Sequence, residues 1–182
     1  MAMIYLVRHG EPSGSWHNSK DPGLTEKGHG QAEAVAVRLA EFGGLRLFSS
    51  PLLRARETAA PYARNRGLEM SIEPRVAEIP SPTEDLAGRT AWLKGVMQGR
   101  YPELGAELNR WRDSVLAALS GITGDTVFFT HYLVINVAVG AALGDDRVVN
   151  FRPAHASLTR LELRDGRVHL LERGREAESV IL

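Results

Sequence analysis

The chain has no cysteine. That absence excludes disulfide bonds, zinc ribbons, iron–sulfur clusters and thiol catalysis together. Net charge is also absent: 22 Lys and Arg balance 22 Asp and Glu, and the isoelectric point lies near 7.0. A surface without a basic excess is not that of a nucleic-acid binder, and one without an acidic excess is not that of an acidic tail protein. Lysine is scarce; Lys20, Lys27 and Lys94 stand among those 22 basic residues and the rest are Arg. Long apolar runs are missing too. The opening run Met1–Val7 meets Arg8-His9 too early to form a signal-peptide core with a cleavage site. The run Tyr132–Leu143, interrupted by Asn136 and Gly140, falls short of the ~20 apolar residues that span a bilayer. The expectation is a soluble cytoplasmic protein without membrane or nucleic-acid partners.

Ligand motifs are thin as well. No His-x-His or His-x-x-x-His pair occurs, and without cysteine no metal site is expected. No phosphate-binding P-loop is present. Gly28-His29-Gly30 opens a helix after a loop rather than a strand and lacks a third glycine, so it is no dinucleotide loop, and no cofactor is expected.

What the chain does contain is an ordinary globular composition over 182 residues, with 43% hydrophobic and 24% charged residues. That length suits one domain, 1–182, burying roughly 70% of its unfolded surface. Met3–Val7 reads as a buried strand, and the Ser-, Gly- and Pro-rich stretch from Glu11 to Gly23 as a loop. Thr25 caps a helix with an apolar face at Ala32, Val35, Leu39 and Phe42, ended by Gly43-Gly44. Leu45–Ser49 is a strand. Ser50 and Pro51 suit the cap and first position of a second helix that stops or kinks near Pro61. Met70–Ile72 is a third strand, and Glu73–Arg89 is mostly irregular. Glu103–Leu119 is an amphipathic helix, Asp125–Thr130 a buried strand, and Tyr132–Leu143 a buried helix stopped by Gly144. Ser157–Leu163 and Val168–Leu171 flank the hairpin turn Asp165-Gly166. Alternating strands and helices give an α/β fold with a largely parallel sheet and an antiparallel edge. Ligands in such sheets sit beyond the carboxyl ends of the strands.

Those ends carry the chemistry. The first strand runs into Arg8-His9-Gly10-Glu11, the second into Ser49-Ser50-Pro51 with Arg54 one turn on, and the Asp125–Thr130 strand into His131. A neutral imidazole is a nucleophile. Arg offers planar paired donors that match a phosphoryl group, and the helix start after Ser50 offers N–H groups and a favourable dipole for an anion. Two Arg and two His at one edge form a plausible phosphate pocket.

These residues resemble the histidine phosphatase superfamily, which includes the phosphoglycerate mutases. Arg8-His9-Gly10-Glu11 resembles its signature, and Leu24-Thr25-Glu26-Lys27-Gly28-His29-Gly30-Gln31-Ala32 its Leu-Thr-x-x-Gly-x-x-Gln-Ala segment. The run from Ser49 to Ala59 resembles its Ser-Ser-Pro-x-x-Arg-Ala-x-x-Thr-Ala, and Asp125–His131 its second-histidine strand. His155-Ala156-Ser157-Leu158-Thr159 is similar to its late Asn-x-Ser-Val-Thr, with His for Asn. The matches fall in order along most of the chain.

The resemblance implies a three-layer α/β/α sandwich of the phosphoglycerate mutase-like kind. It also implies metal-independent hydrolysis of a small phosphomonoester. His9 would carry a phosphohistidine, while Arg8, Arg54 and His131 would hold the phosphoryl oxygens. Glu78 of Val76-Ala77-Glu78 would serve as general acid, with Glu84 and Asp85 as rivals. By analogy, Thr25 and the backbone near Gly23 would line the pocket.

Departures accompany the match. Tyr132 stands where the family commonly has Gly, where it would narrow the pocket or offer its hydroxyl to the substrate. Asn136 stands where Arg is common, and Ile79-Pro80-Ser81-Pro82 replaces a Gly-Trp-Glu-Gly. Trp16-His17-Asn18 echoes the mutase Trp-Asn at a shifted spacing. With the short first loop, these differences favour a phosphatase over a mutase. A protein phosphohistidine phosphatase and a non-catalytic phospholigand-binding module remain alternatives.

Taken singly, each residue has a plainer reading. His9 would be a satisfied polar residue, His131 a core histidine, Arg54 a solvated helix residue and Glu78 a surface carboxylate; Tyr132 and Asn136 divide between packing and pocket. His17, His29 and His169 read as solvated, His155 as either solvated or part of its motif. Trp92, Trp111 and the Leu104–Leu119 stripe read as core, and Arg56, Arg64 and Arg66 as a solvated face. The oligomeric state is not legible; Ser179-Val180-Ile181-Leu182 suits an edge strand or a partner contact.

Overall fold

The computed structural model describes residues 1–14 and 19–178, so the Trp16-His17-Asn18 echo and the C-terminal Ser179–Leu182 lie outside the described residues. In chain order the elements are β1 (Ala2–Arg8), α1 (Glu26–Leu39), β2 (Arg46–Ser49), α2 (Leu53–Arg66), β3 (Ser71–Ile72), α3 (Leu86–Met97), α4 (Ala106–Ser120), β4 (Thr126–Thr130), α5 (Tyr132–Leu143), β5 (Leu158–Arg164) and β6 (Arg167–Glu172). Single 3₁₀ turns cover Pro74–Val76 and Tyr101–Glu103.

The sheet runs β3-β2-β4-β1-β5-β6. β1, β2, β3 and β4 pair in parallel, and β5 and β6 add the antiparallel edge. Alternation along the strands splits the core in two. Ile4, Leu6 and Phe128 pack with residues of α3, α4 and α5 on one face. Tyr5, Val7, Val127 and Phe129 pack with residues of α1 and α2 on the other. The result is a mixed α/β fold with helices covering both faces, as the unbroken burial of β1 from Ile4 onward and of all of β4 requires. Trp92, Trp111 and the Leu104–Leu119 stripe pack on the first face. The β5–β6 turn has Asp165 and Gly166 both at positive φ, 52° and 72°, the twist a two-residue hairpin demands.

Local signals and packing diverge in four places. Thr25 caps α1, its Oγ1 accepting from the Gly28 N–H, but the helix ends at Leu39, ahead of Gly43-Gly44. Ser50 does not cap α2. Its hydroxyl meets His131 and the Leu52 N–H instead, and the helix begins at Leu53. α2 also runs through Pro61 to Arg66 and closes on Gly67 in the left-handed conformation. Burial of Ala59, Pro61 and Tyr62 against the sheet outweighs the lost N–H bond. The region read as irregular ends earlier than expected, because α3 starts at Leu86, capped by the Asp85 carboxylate accepting from Gly88 N–H.

Candidate active site

β1 delivers Arg8 and His9 to the carboxyl edge of the sheet. The Arg8 N–H donates to Ser157 O and the His9 N–H to Thr130 O, so both neighbouring segments grip the strand end. β4 ends beside it and presents His131, whose ring centroid lies 5.3 Å from that of His9. From α2, Arg54 joins the pair. Thr58 ties that turn to the His9–Gly10 segment, accepting from Gly10 N–H at 2.9 Å and donating to Arg54 O at 2.6 Å. Glu78 follows the 3₁₀ turn, which is pinned to β4 because Thr130 Oγ1 donates to Val76 O at 2.6 Å.

These residues converge on one cleft, about 400 Å³ including its open mouth, lined by Arg8, His9, Arg54, Glu78, Tyr132, Arg89, Lys20, Ser19, Pro12, Gly14 and Pro22. Lys20 pairs at the mouth with exposed Glu84. His131 is fully buried behind the lining, with Nε2 2.7 Å from Ser50 Oγ. Glu78 is therefore the cleft carboxylate. Of its two rivals, Glu84 is exposed and Asp85 caps α3. Thr25 and Gly23 do not line the cleft. Thr25 Oγ1 is committed to its cap and to Glu11, and Gly23 O accepts from Ser13 N–H. The α2 N-terminus offers fewer free donors than expected, since Leu52 N–H donates to Ser50 Oγ and Leu53 N–H to Asp21 Oδ1.

The electrostatics follow from burial. His9 Nδ1 lies 2.7 Å from Gly10 O. A carbonyl only accepts, so Nδ1 carries the proton and a neutral ring keeps its lone pair on Nε2. Burial, then the charges of Arg54, Arg8 and His131, hold the His9 pKa well below the usual imidazole range, so the ring is neutral at pH 7. Burial and the same two Arg do this for His131. Arg8 is lowered to about 10 by burial and stays cationic; Pro153 O accepts from its Nη1 at 2.8 Å, and its guanidinium lies 5.1 Å from the Tyr132 ring centroid. Burial lowers Arg54 as well. The Glu78 carboxyl is pushed up by burial, against the pull of Ile79 and Leu133 N–H donors and of the two Arg. A neutral nucleophile, two fixed guanidiniums and a carboxyl inclined to hold its proton are the parts that transfer of a phosphoryl group to nitrogen requires.

Sequence reading missed several contributors. Lys20 and Arg89 line the cleft from a loop and from α3, and neither sits in a local pattern that marks a site. Ser50 and Thr58 lie within the quoted motif, but their partners are 81 and 48 residues away. Asn136 is buried and structural, its Oδ1 accepting from Asn150 and Phe151 N–H. His29 is exposed near Glu57, while Glu11 pairs with Lys27. No group of three or more metal-ligating side chains occurs among the described residues, and no helix there is long and apolar enough to cross a membrane.

Comparison with known proteins agrees with this geometry. The chain is 35% identical over 166 residues to the Escherichia coli O1:K1 / APEC protein named Probable phosphoglycerate mutase GpmB, covering 79% of this chain and 76% of that one. It shares its fold with phosphoserine phosphatase from Entamoeba histolytica, solved with 3-phosphoglyceric acid (TM-score 0.76, 23% identity, 96% and 98% of the two chains). TTHB049 from Thermus thermophilus superposes with TM-score 0.62 at 28% identity, over 95% and 99% of the chains. The chain is thus similar in sequence to a protein named as a probable mutase and in fold to one named as a phosphatase. With the profile of the histidine phosphatase superfamily (branch 1) matching residues 4–175, the chain belongs to that superfamily.

Proposed function

We propose that the protein is a phosphatase that hydrolyses a small phosphomonoester through a phosphohistidine on His9. The observation that carries this reading is the neutral His9 ring, protonated at Nδ1 by its bond to Gly10 O, set in a cleft with Arg8 and Arg54. In the first step Nε2 of His9 attacks phosphorus and the bond to the ester oxygen breaks. Glu78 gives that oxygen its proton, and the alcohol leaves. In the second step water attacks phosphorus, Glu78 takes back a proton, and the P–N bond breaks to release phosphate. Arg8 and Arg54 offset the charge of the equatorial oxygens, and His131, being neutral, would contribute a hydrogen bond rather than a charge. These roles need no metal or organic cofactor. Arg89 adds a guanidinium at the rim beside the Lys20–Glu84 pair, which suits an ester carrying a further anionic group. Tyr132 narrows the floor of the cleft beneath Arg8.

Acid-labile phosphate should be trapped on the wild-type protein during turnover of a phosphomonoester panel that includes carboxylated esters. His9→Ala should stay folded and lose both label and turnover. Full activity in that variant would overturn the mechanism.

The 35% identity to a protein named as a mutase supports a second reading, isomerisation of phosphoglycerates. Interconversion of 2- and 3-phosphoglycerate after priming with 2,3-bisphosphoglycerate would establish it; phosphate release without isomerisation would exclude it.

A further inference from the structure

We infer that His155 is a positioning residue, a third imidazole that packs against His9 and keeps its Nε2 aimed into the cleft. The inference rests on the phosphohistidine reading above and adds a residue to it. The His155 ring lies 5.7 Å from the His9 ring, tilted by 39°. It does not line the cleft. It borders a separate shallow surface pocket, about 450 Å³ including open solvent, with Gln31, Arg38 and Arg175, so it meets the nucleophile from outside the substrate space.

The turn that carries His155 is clamped to the peptide it would position. Ala156 N–H lies 3.0 Å from Arg8 O and 3.2 Å from His9 O, Arg8 N–H donates to Ser157 O, and Pro153 O accepts from the Arg8 guanidinium. Ala156 sits at φ 53°, a left-handed conformation that an L side chain seldom adopts. Residues held there by surrounding contacts gather where geometry matters for function.

The bond from His9 Nδ1 to Gly10 O selects the tautomer, but one hydrogen bond leaves the ring free to swing about it. Packing on the ring supplies the missing restraint, from His131 at 5.3 Å together with His155 at 5.7 Å. His155 Nε2 is buried and makes no hydrogen bond among the described residues, so the ring serves by its shape. Burial and then Arg8 lower its pKa to about 4, which keeps it uncharged beside the cationic site at neutral pH.

Misplacing a reacting atom by about 1 Å costs on the order of 100-fold in rate. His155→Ala should therefore lower kcat/KM by at least about 10-fold. The inhibition constant of inorganic phosphate should stay unchanged, because both Arg remain. His155→Phe keeps a flat ring without the nitrogens and should recover most of the loss. Thermal unfolding identifies folded variants. The inference is overturned if His155→Ala matches wild type, if phosphate affinity falls in step with turnover, or if folded His155→Phe is as impaired as His155→Ala. NMR of labelled histidine reads the same question without turnover. The His9 ring signals should be single in wild type and doubled or broadened in His155→Ala, and one sharp unchanged set would refute the role. A wild-type protein with neither turnover nor label would instead overturn the phosphohistidine reading, leaving the NMR result to judge His155.

Discussion

Gly28 and Gly30 lie two residues apart in α1, yet alanine should act on them with opposite sign. A methyl on Gly28 would sit 2.3 Å from Glu11 O and 3.1 Å from Glu11 N, where ordinary contact begins near 3.4 Å, so helix and loop must part by about 1 Å. Glu11 cannot yield easily, since its carbonyl also accepts from Thr25 N–H at 2.9 Å. Overpacking of this kind costs about 1–3 kcal/mol, and alanine returns about 1 kcal/mol of helix propensity. With the Thr25 bond strained as well, Gly28→Ala should lose about 2 kcal/mol, or about 4–8 °C in Tm for a chain of this length. At Gly30 nothing lies within 4 Å of the added methyl, and alanine should gain about 0.5–1 kcal/mol. Urea unfolding followed by circular dichroism measures both. Turnover adds a second readout. Glu11 stands two residues past His9, so the displaced loop should cut kcat/KM in Gly28→Ala and leave Gly30→Ala unchanged. A Gly28→Ala protein as stable and active as wild type would refute the close approach; a destabilised Gly30→Ala would refute the propensity argument.

Three further outcomes follow from the site and its supports. Glu78→Gln removes the proposed proton donor and should lower kcat by about 10²–10⁴-fold on alkyl phosphates, but far less on an aryl ester with a good leaving group, as steady-state rates on both will read. Its raised pKa also makes wild-type stability fall as pH rises from 4.5 through the folded value, since the folded carboxyl holds a proton that the unfolded chain releases; the urea midpoint of Glu78→Gln should lack that decline. Asn136→Ala leaves the Asn150 and Phe151 N–H groups without their acceptor, and unfolding should show a loss of about 2–6 kcal/mol at about 1–3 kcal/mol for each group.

Much of this architecture was legible because its signals are local. The Tyr132–Leu143 helix is apolar all round and buried from Tyr132 through Gly140. Thr25 caps α1, and Gly144 ends α5 at φ 66°. Arg8, His9, Arg54 and His131 stood out because strand ends are read from short runs. α3 was not legible, because its apolar positions form no clear stripe and its start depends on the Asp85 cap and on packing of Leu93 and Val96. The helix through Pro61 was hidden for a related reason: burial of its neighbours against the sheet overrides a local breaker.

The sequence by itself determined which chemistry is available: histidine rather than cysteine as candidate nucleophile, arginine for an anion, and an α/β frame that carries both to one edge. Only the tertiary structure decided the rest. It chose Glu78 over Glu84 and Asp85, drew Thr25 and Gly23 away from the cleft, added Lys20 and Arg89, and set His155 beside His9. It also determined the protonation states, because a pKa depends on what surrounds a group in space. Residue type and periodicity act over a few neighbours along the chain, whereas burial, tautomer and charge at this site depend on contacts such as His131 to Ser50, 81 residues apart.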